Sequence, residues 1–327
     1  MRFRTVFAIS SLLALVLGSG IARAEVIELK FGHVGAPGSL FAISAEEFAR
    51  RVNADLAGKV KVVVFGSSQL GKDKELLQKL KLGTVDFALP STVMSSVVDA
   101  AGLFEMPYLV KNRSQMARIE HDIFWPRIEP EIEKKGYKVL AVWENGFRHI
   151  TNNLRPINVP DDLKGIKLRT PKGKWRVKMF KSYGANPTPM SFSEVFVALQ
   201  TGVMDGQENP FAQIYSAKFY EVQKYLSLTG HVYTPAYVTV GKKKWAKLPA
   251  DLRAAIARIA RGTQGFVYAR AAELETDLLN KLKAGGMTVN VADKAAFIAA
   301  SKGIYDAFAK SVPGGADMIA KAQALAD

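Results

Sequence analysis

The hydrophobic positions change period several times along the chain. Leu29-Lys30-Phe31-Gly32 and Val60 to Phe65 are short runs rich in β-branched and aromatic residues, the composition of buried strands. Between them Phe41, Ala45, Phe48 and Val52 fall on one helical face, and Lys74 to Leu82 reads as a second helix. Strands alternating with helices predict an α/β sheet. Much later, Pro249 and Asp251 open the longest helical pattern, carried by Leu252, Ile256, Ile259, Phe266, Leu274, Leu278 and Leu282 and stopped at Gly285-Gly286. A helix of about 35 residues spans roughly 50 Å. That exceeds the width of one small domain, so it is expected to brace two lobes. Gly262 and Gly265 are its weak points, where a bend or break is expected.

The chain also echoes itself. Glu75, Leu80, Gly83 and Asp86 return as Glu194, Leu199, Gly202 and Asp205, every pair 119 residues apart. Each copy reads as a helix, a glycine stop and a short strand, Val85 to Leu89 in one and Val203-Met204 in the other. Ser191-Phe192-Ser193-Glu194 fits a capping box that would start the second helix. Pro187 and Pro189 hold the segment before it extended. The echo points to a two-lobed, pseudo-repeated architecture.

Residues 1–24 read as a secretory signal peptide. Arg2 and Arg4 precede the apolar run from Val6 to Leu17, and Ala22-Arg23-Ala24 is a small-x-small cleavage site. The run is too short to span a membrane. The chain of 327 residues has no cysteine, which excludes disulfides, thiolate metal sites, a cysteine nucleophile and a lipidated anchor. The mature protein is therefore expected to be exported, soluble and periplasmic, with a monomer as the default state. The full chain's formal charge of +15, or +12 once the three arginines of residues 1–24 are removed, fits either a polyanion partner or a small anion. The basic residues are spread out apart from Lys242-Lys243-Lys244, and no nucleic-acid-binding signature accompanies them. Nucleic acid is not expected as a partner.

Local catalytic motifs are missing as well. There is no dinucleotide or phosphate-loop fingerprint, no H-E-x-x-H and no serine elbow in the mature chain. The four histidines, His33, His121, His149 and His231, are too far apart for a local metal motif. No metal or cofactor is expected. The informative stretch runs from Trp143 to Pro210. Arg169 ends a short strand, Gly165 to Thr170, just before Pro171. A guanidinium there could face a cleft and grip a carboxylate with two parallel hydrogen bonds. On pattern alone a surface ion pair suits it better, and Arg148 in Asn145-Gly146-Phe147-Arg148 carries the same ambiguity.

Several segments together carry a resemblance. They are Lys164-Gly165-Ile166-Lys167-Leu168-Arg169, Gly184-Ala185-Asn186-Pro187-Thr188-Pro189-Met190, Phe192-Ser193-Glu194-Val195-Phe196, Ala198-Leu199-Gln200-Thr201-Gly202 and Asp205-Gly206-Gln207-Glu208-Asn209-Pro210. Ser68-Gln69-Leu70-Gly71 upstream and Phe219-Tyr220-Glu221-Val222 downstream extend it over the mature chain. The chain resembles the DctP-type solute-binding proteins of tripartite ATP-independent periplasmic (TRAP) transporters. The resemblance implies the α/β two-lobed periplasmic binding protein fold, with a ligand cleft between lobes and a long helix bracing both. The expected lobes are residues 25–145 with 234–273, and 146–233 with 274–327. It implies a binding protein rather than an enzyme, with membrane permease subunits as partners and a small organic anion as cargo. That anion could be a dicarboxylate, a sugar acid, a hydroxy or oxo acid, or an aromatic acid.

By the same resemblance Arg169 makes the two-pronged ligand contact, joined by Arg148, Asn209 and Phe192. His33 and Ser91 are the corresponding residues after the first and third strands. Asn209 would donate to and accept from the ligand's oxygens, and Phe192 would form a flat apolar wall. His33, Trp143 and the Tyr233–Tyr237 stretch favour a hydroxylated or aromatic acid. An exported enzyme acting on a small acid, or a sensory module with the same binding chemistry, are the alternative functions.

Overall fold

The protein is described as a computed structural model covering residues 25–326. The signal-peptide expectation for residues 1–24 lies outside the described residues. The first unit runs β1 (Ile27–Gly32), α1 (Leu40–Asp55), β2 (Val60–Phe65), α2 (Asp73–Leu82) and β3 (Phe87–Ala88). β1 pairs in parallel with β2 on one side and β3 on the other. A connecting segment holds α3 (Arg113–Ile119) and α4 (Glu129–Lys134) and leads into β4 (Tyr137–Asn152). The second unit repeats the first with β5 (Lys167–Thr170), α5 (Lys174–Ser182), β6 (Asn186–Pro189), α6 (Val195–Gln200) and β7 (Gly206–Asn209). β5 again lies parallel between its two neighbours, β6 and β7. Pro187 and Pro189 sit in β6, at the end of the sheet, where a missing amide donor costs no ladder bond.

The rest of the chain is α7 (Phe211–Ser216), β8 (Tyr225–Gly241), α8 (Lys242–Trp245), α9 (Ala250–Ala284), β9 (Thr288–Val291), α10 (Lys294–Ala300), α11 (Lys302–Ser311) and α12 (Gly315–Ala324). The strands form one sheet in the order β2-β1-β3-β8-β4-β7-β5-β6, with β9 also on β8. β4 and β8 are antiparallel and serve both units. One end of β8 takes Phe87 and Ala88, and the far end of β4 takes β7. Their register slips at Val139/Ala141, Glu144/Gly146 and Arg148/Ile150. Such bulges bend and twist a strand pair, and the last two lie where the pair passes from one unit to the other.

The echo is structural. Gly83 and Gly202 close α2 and α6 at φ 76° and 71°, a left-handed turn that glycine adopts without a Cβ penalty. The Asp86 and Asp205 carboxylates then accept from Lys30 N and Lys167 N, each at 2.8 Å, on the central strand of their own unit. This anchor makes the segment after each glycine a turn. The strands therefore begin later than the pattern predicted, at Phe87 and Gly206, and Val203 is exposed. Phe192–Glu194 forms a 3₁₀ turn, so α6 proper starts at Val195.

The bracing helix runs unbroken through Gly262 and Gly265 for 35 residues. Thr263 and Val267 fill its core stripe, whereas Phe266 is half-buried beneath the Arg51 guanidinium. α9 packs against α1, β4 and α7, and so touches elements of both halves. Trp143 of β4 joins Phe31, Phe48 and Phe87 in an aromatic cluster and donates to the Ala260 carbonyl of α9. The C-terminal helices also reach both halves. Phe308 of α11 packs on Trp175 of α5, while Gln115 and Arg118 of α3 donate to the Ala322 and Leu325 carbonyls.

Candidate functional site

A cavity opens between the two units, over the bulged middle of β4. Its lining comes from the ends of strands and the starts of helices. Val34 follows β1 and Ser91 follows β3, Lys72 and Asp73 begin α2, and Asn145 and Arg148 belong to β4. Arg169 comes from β5, Met190 and Phe192 precede α6, Asn209 ends β7 and Gln213 lies in α7. Five of the six residues expected from sequence, Arg169, Arg148, Asn209, Phe192 and Ser91, thus come together on one cavity.

His33 does not line it. Strand side chains alternate, and His33 continues the inward parity of Leu29 and Phe31, leaving Val34 to face the cavity. His33 is 1% exposed and lies against Gly66. Burial holds its pKa down at about 4, and its Nδ1 has no hydrogen-bond partner among the described residues. Trp143, Tyr233 and Tyr237 are core residues as well. Tyr233 donates to Glu144, and Tyr237 stacks on Phe124 at 5.3 Å. None of the three lines the cavity, so they do not favour an aromatic ligand.

The two cavity arginines differ in what holds them. Arg148 gives Nε and Nη2 to the Glu208 carboxylate and Nη2 also to Asn209 Oδ1 at 2.9 Å. Glu208 further receives Arg176 Nη1 at 2.7 Å and His231 Nε2 at 3.0 Å. Burial pushes the Glu208 carboxyl up, but Arg148, Arg176 and His231 outweigh it and hold it well below the usual carboxylate range. The Arg148 charge is therefore compensated from behind. Arg169 is also buried, at 3% exposure, but gives Nε and Nη2 only to the Met190 carbonyl, at 3.0 and 2.6 Å. No carboxylate lies within ion-pair distance of it among the described residues. Burial, and then repulsion from Arg148, lower its pKa to about 10. A buried guanidinium without a bonded anion is strongly disfavoured unless an anion arrives.

The remaining polar groups are mixed, with Lys72, Lys74 and Lys172 as cationic donors beside several acceptors. Ser91 Oγ spends its proton on the Pro235 carbonyl at 2.6 Å and accepts from Asn145. Gln213 Nε2 donates to Asn145 at 3.3 Å, while its Oε1 is buried without a partner. Asp73 presents a carboxyl pushed up to about 6 by burial, against the pull of Arg169. Phe192 meets Phe219 edge-on at 5.7 Å and forms an apolar wall. No cluster of candidate metal ligands exists among the described residues.

Asp73, Asn145, Gln213 and Lys72 were not singled out from sequence. For Asp73 a signal was present. The offset of 119 that pairs Glu75 with Glu194 also pairs Asp73 with Phe192, so one repeat position supplies both cavity walls.

Comparison with known proteins agrees with this architecture. The model of the family described as bacterial extracellular solute-binding protein, family 7 (DctP), matches residues 31–311. The 2,3-diketo-L-gulonate-binding periplasmic protein YiaO of Escherichia coli is 33% identical over 294 residues, 89% of this chain and 90% of the relative. Among solved structures, a TRAP periplasmic solute-binding protein from Polaromonas sp JS666 bound to D-erythronate is 35% identical with a TM-score of 0.87. The alignment covers 91% of this chain and 98% of that one. One from Sulfurospirillum deleyianum with bound succinate is 34% identical, TM-score 0.87, covering 92% and 99%. These neighbours share the two-lobed fold, and they bind solutes rather than transform them. With the family match running from β1 into α11 and the whole fold superposing, the chain belongs to the DctP family of TRAP solute-binding proteins.

Proposed function

We propose that the protein captures a hydroxylated organic acid in the periplasm, closes over it and delivers it to a TRAP permease. The observation that carries this is Arg169, a buried guanidinium whose only bonded acceptor among the described residues is one backbone carbonyl. It offers a carboxylate a charge-assisted, two-pronged site that Arg148, committed to Glu208, supplements. The wall formed by Asp73 and Gln213 favours hydroxyl groups over a second carboxylate, while Lys72, Lys74 and Lys172 line the cavity elsewhere. Asp73 and the unpartnered Gln213 Oε1 call for donors, and a second carboxylate beside Asp73 would be repelled.

The relatives fit either cargo, since one holds D-erythronate and another succinate. The two acids share a four-carbon skeleton, and only the first is hydroxylated. We assign the lobes to residues 25–145 with 234–273 and 146–233 with 274–327, hinged at the β4–β8 bulges. The helices from Lys302 to Ala324 act as a strap between them.

The test is thermal melting of protein that has been unfolded and refolded to strip any retained ligand. At about 100 times its dissociation constant a ligand adds ~2.7 kcal/mol, a rise of roughly 5–10 °C at this size. D-erythronate should raise the melting temperature and succinate should raise it less. A larger rise with succinate would overturn the hydroxylated-acid reading. No rise with any carboxylate would overturn the clamp itself.

A further inference from the structure

We propose that Lys72 and Glu194 form an electrostatic latch across the mouth of the cleft that favours its closed form. Lys72 Nζ meets Glu194 Oε1 at 2.5 Å, joining residues 122 apart in sequence. Lys72 is the N-cap of α2 and lines the cavity, and Glu194 ends the 3₁₀ turn that carries Phe192. Each carboxylate of the repeat caps its own turn, Glu75 onto Lys72 N at 3.1 Å and Glu194 onto Ser191 N at 3.2 Å. The two copies of one capping motif thus face each other over the ligand space, and the second carboxylate has an oxygen free to reach the first copy's lysine. Both side chains remain partly exposed, at 39% and 45%, so the pair sits at the lip and opens to water when the lobes part. The inference rests on the reading of this cavity as the solute site, but its test does not require a solute.

The chain has no cysteine, so Leu82→Cys with Val203→Cys gives two exposed labelling positions, one beside each helix. Single-molecule energy transfer between them reports the closed-to-open ratio of the ligand-free protein. Lys72→Met and Glu194→Gln should each lower that ratio about two- to five-fold at low salt, the range of an exposed ion pair. High salt should lower it in the wild type and not in the variants. Lys72→Glu combined with Glu194→Lys should restore it. Glu131→Gln removes the exposed Lys134–Glu131 pair, which lies within α4 and away from the cavity, and should leave the ratio unchanged. An unchanged ratio in Lys72→Met, or no rescue by the charge swap, would overturn the latch while leaving acid binding intact. An equal fall in Glu131→Gln would do the same. If no carboxylate raised the melting temperature, the solute reading would fail with the latch result still standing.

Discussion

Arg148 and Glu208 form a fully buried ion pair that is closed at both ends. The guanidinium reaches the carboxylate from two nitrogens, at 2.5 and 3.0 Å, and Nη2 also reaches the Glu208 carbonyl at 2.6 Å. Arg176 and His231 share Oε2 with Arg148 Nε. Two positive residues thus share one anion beneath the cleft. Glu208→Gln should leave Arg148 buried without its counter-charge and Arg176 with Glu105 alone, 3.9 Å away, a loss of about 3–5 kcal/mol. Urea unfolding should show a lower midpoint with an unchanged slope. A loss below about 1 kcal/mol would mean that Glu105 and solvation compensate the two arginines without Glu208.

Arg169 lacks such a partner among the described residues, so its removal should act on binding rather than on folding. Each charge-assisted hydrogen bond lost is worth about 1.5–3 kcal/mol. Arg169→Ala should therefore weaken D-erythronate by ~10–10³-fold in calorimetry, with little change in the unfolding midpoint. Arg169→Lys should bind poorly too, because an ammonium cannot reproduce the fork. Wild-type affinity in either variant would remove Arg169 from the clamp.

Asp73 should decide between hydroxylated and unhydroxylated acids. As an acceptor it strengthens a ligand hydroxyl, and as a neighbour of the bound carboxylate it repels a second one. Asp73→Ala should weaken D-erythronate by about ten-fold, the size of one hydrogen bond to a charged group. Succinate should hold or gain affinity, so the preference between the two acids narrows or inverts. An unchanged ratio of the two affinities would place Asp73 outside ligand contact.

Much of this site was legible because its residues lie in local patterns. β2 occupies the apolar run Val60–Phe65, and the pattern opening at Pro249 became a 35-residue helix ending at Ala284. Arg169 was marked by a strand end before a proline and by the motif around it. What stayed hidden depends on parity and on distant contacts. A residue just past a strand end can face either way. His33 and Val34 differ by one position, and only the packing against Gly66 shows which turns inward. Val203-Met204 looked like a strand because it is apolar, but Asp205 binds the backbone of β5 and delays the ladder to Gly206. The Lys72–Glu194 contact is set by how the two units meet, which no local window contains.

Buried histidines give the last prediction. His33 and His231 are held down at about 4 and His149 at about 3, burial being the largest cause in each. Their ordinary value is 6.5. Between that value and the folded one, the unfolded chain binds protons that the folded chain refuses. Each histidine therefore contributes stability that is present above pH 6.5 and lost as the pH falls towards 4. The maximal slope is about 1.4 kcal/mol per pH unit per group. Carboxyls raised by burial, including Asp73, Glu105 and Glu144, act with the opposite sign, so the informative quantity is a difference between variants. His33 suits the test because its buried Nδ1 makes no hydrogen bond that a substitution would break. Urea unfolding of wild type and His33→Leu from pH 4 to 7 should show the variant losing less stability on acidification. The difference in slope should approach 1.4 kcal/mol per pH unit near pH 5. Parallel curves would mean that His33 takes up its proton in the folded state, and that its pocket admits water which the packing against Gly66 should exclude.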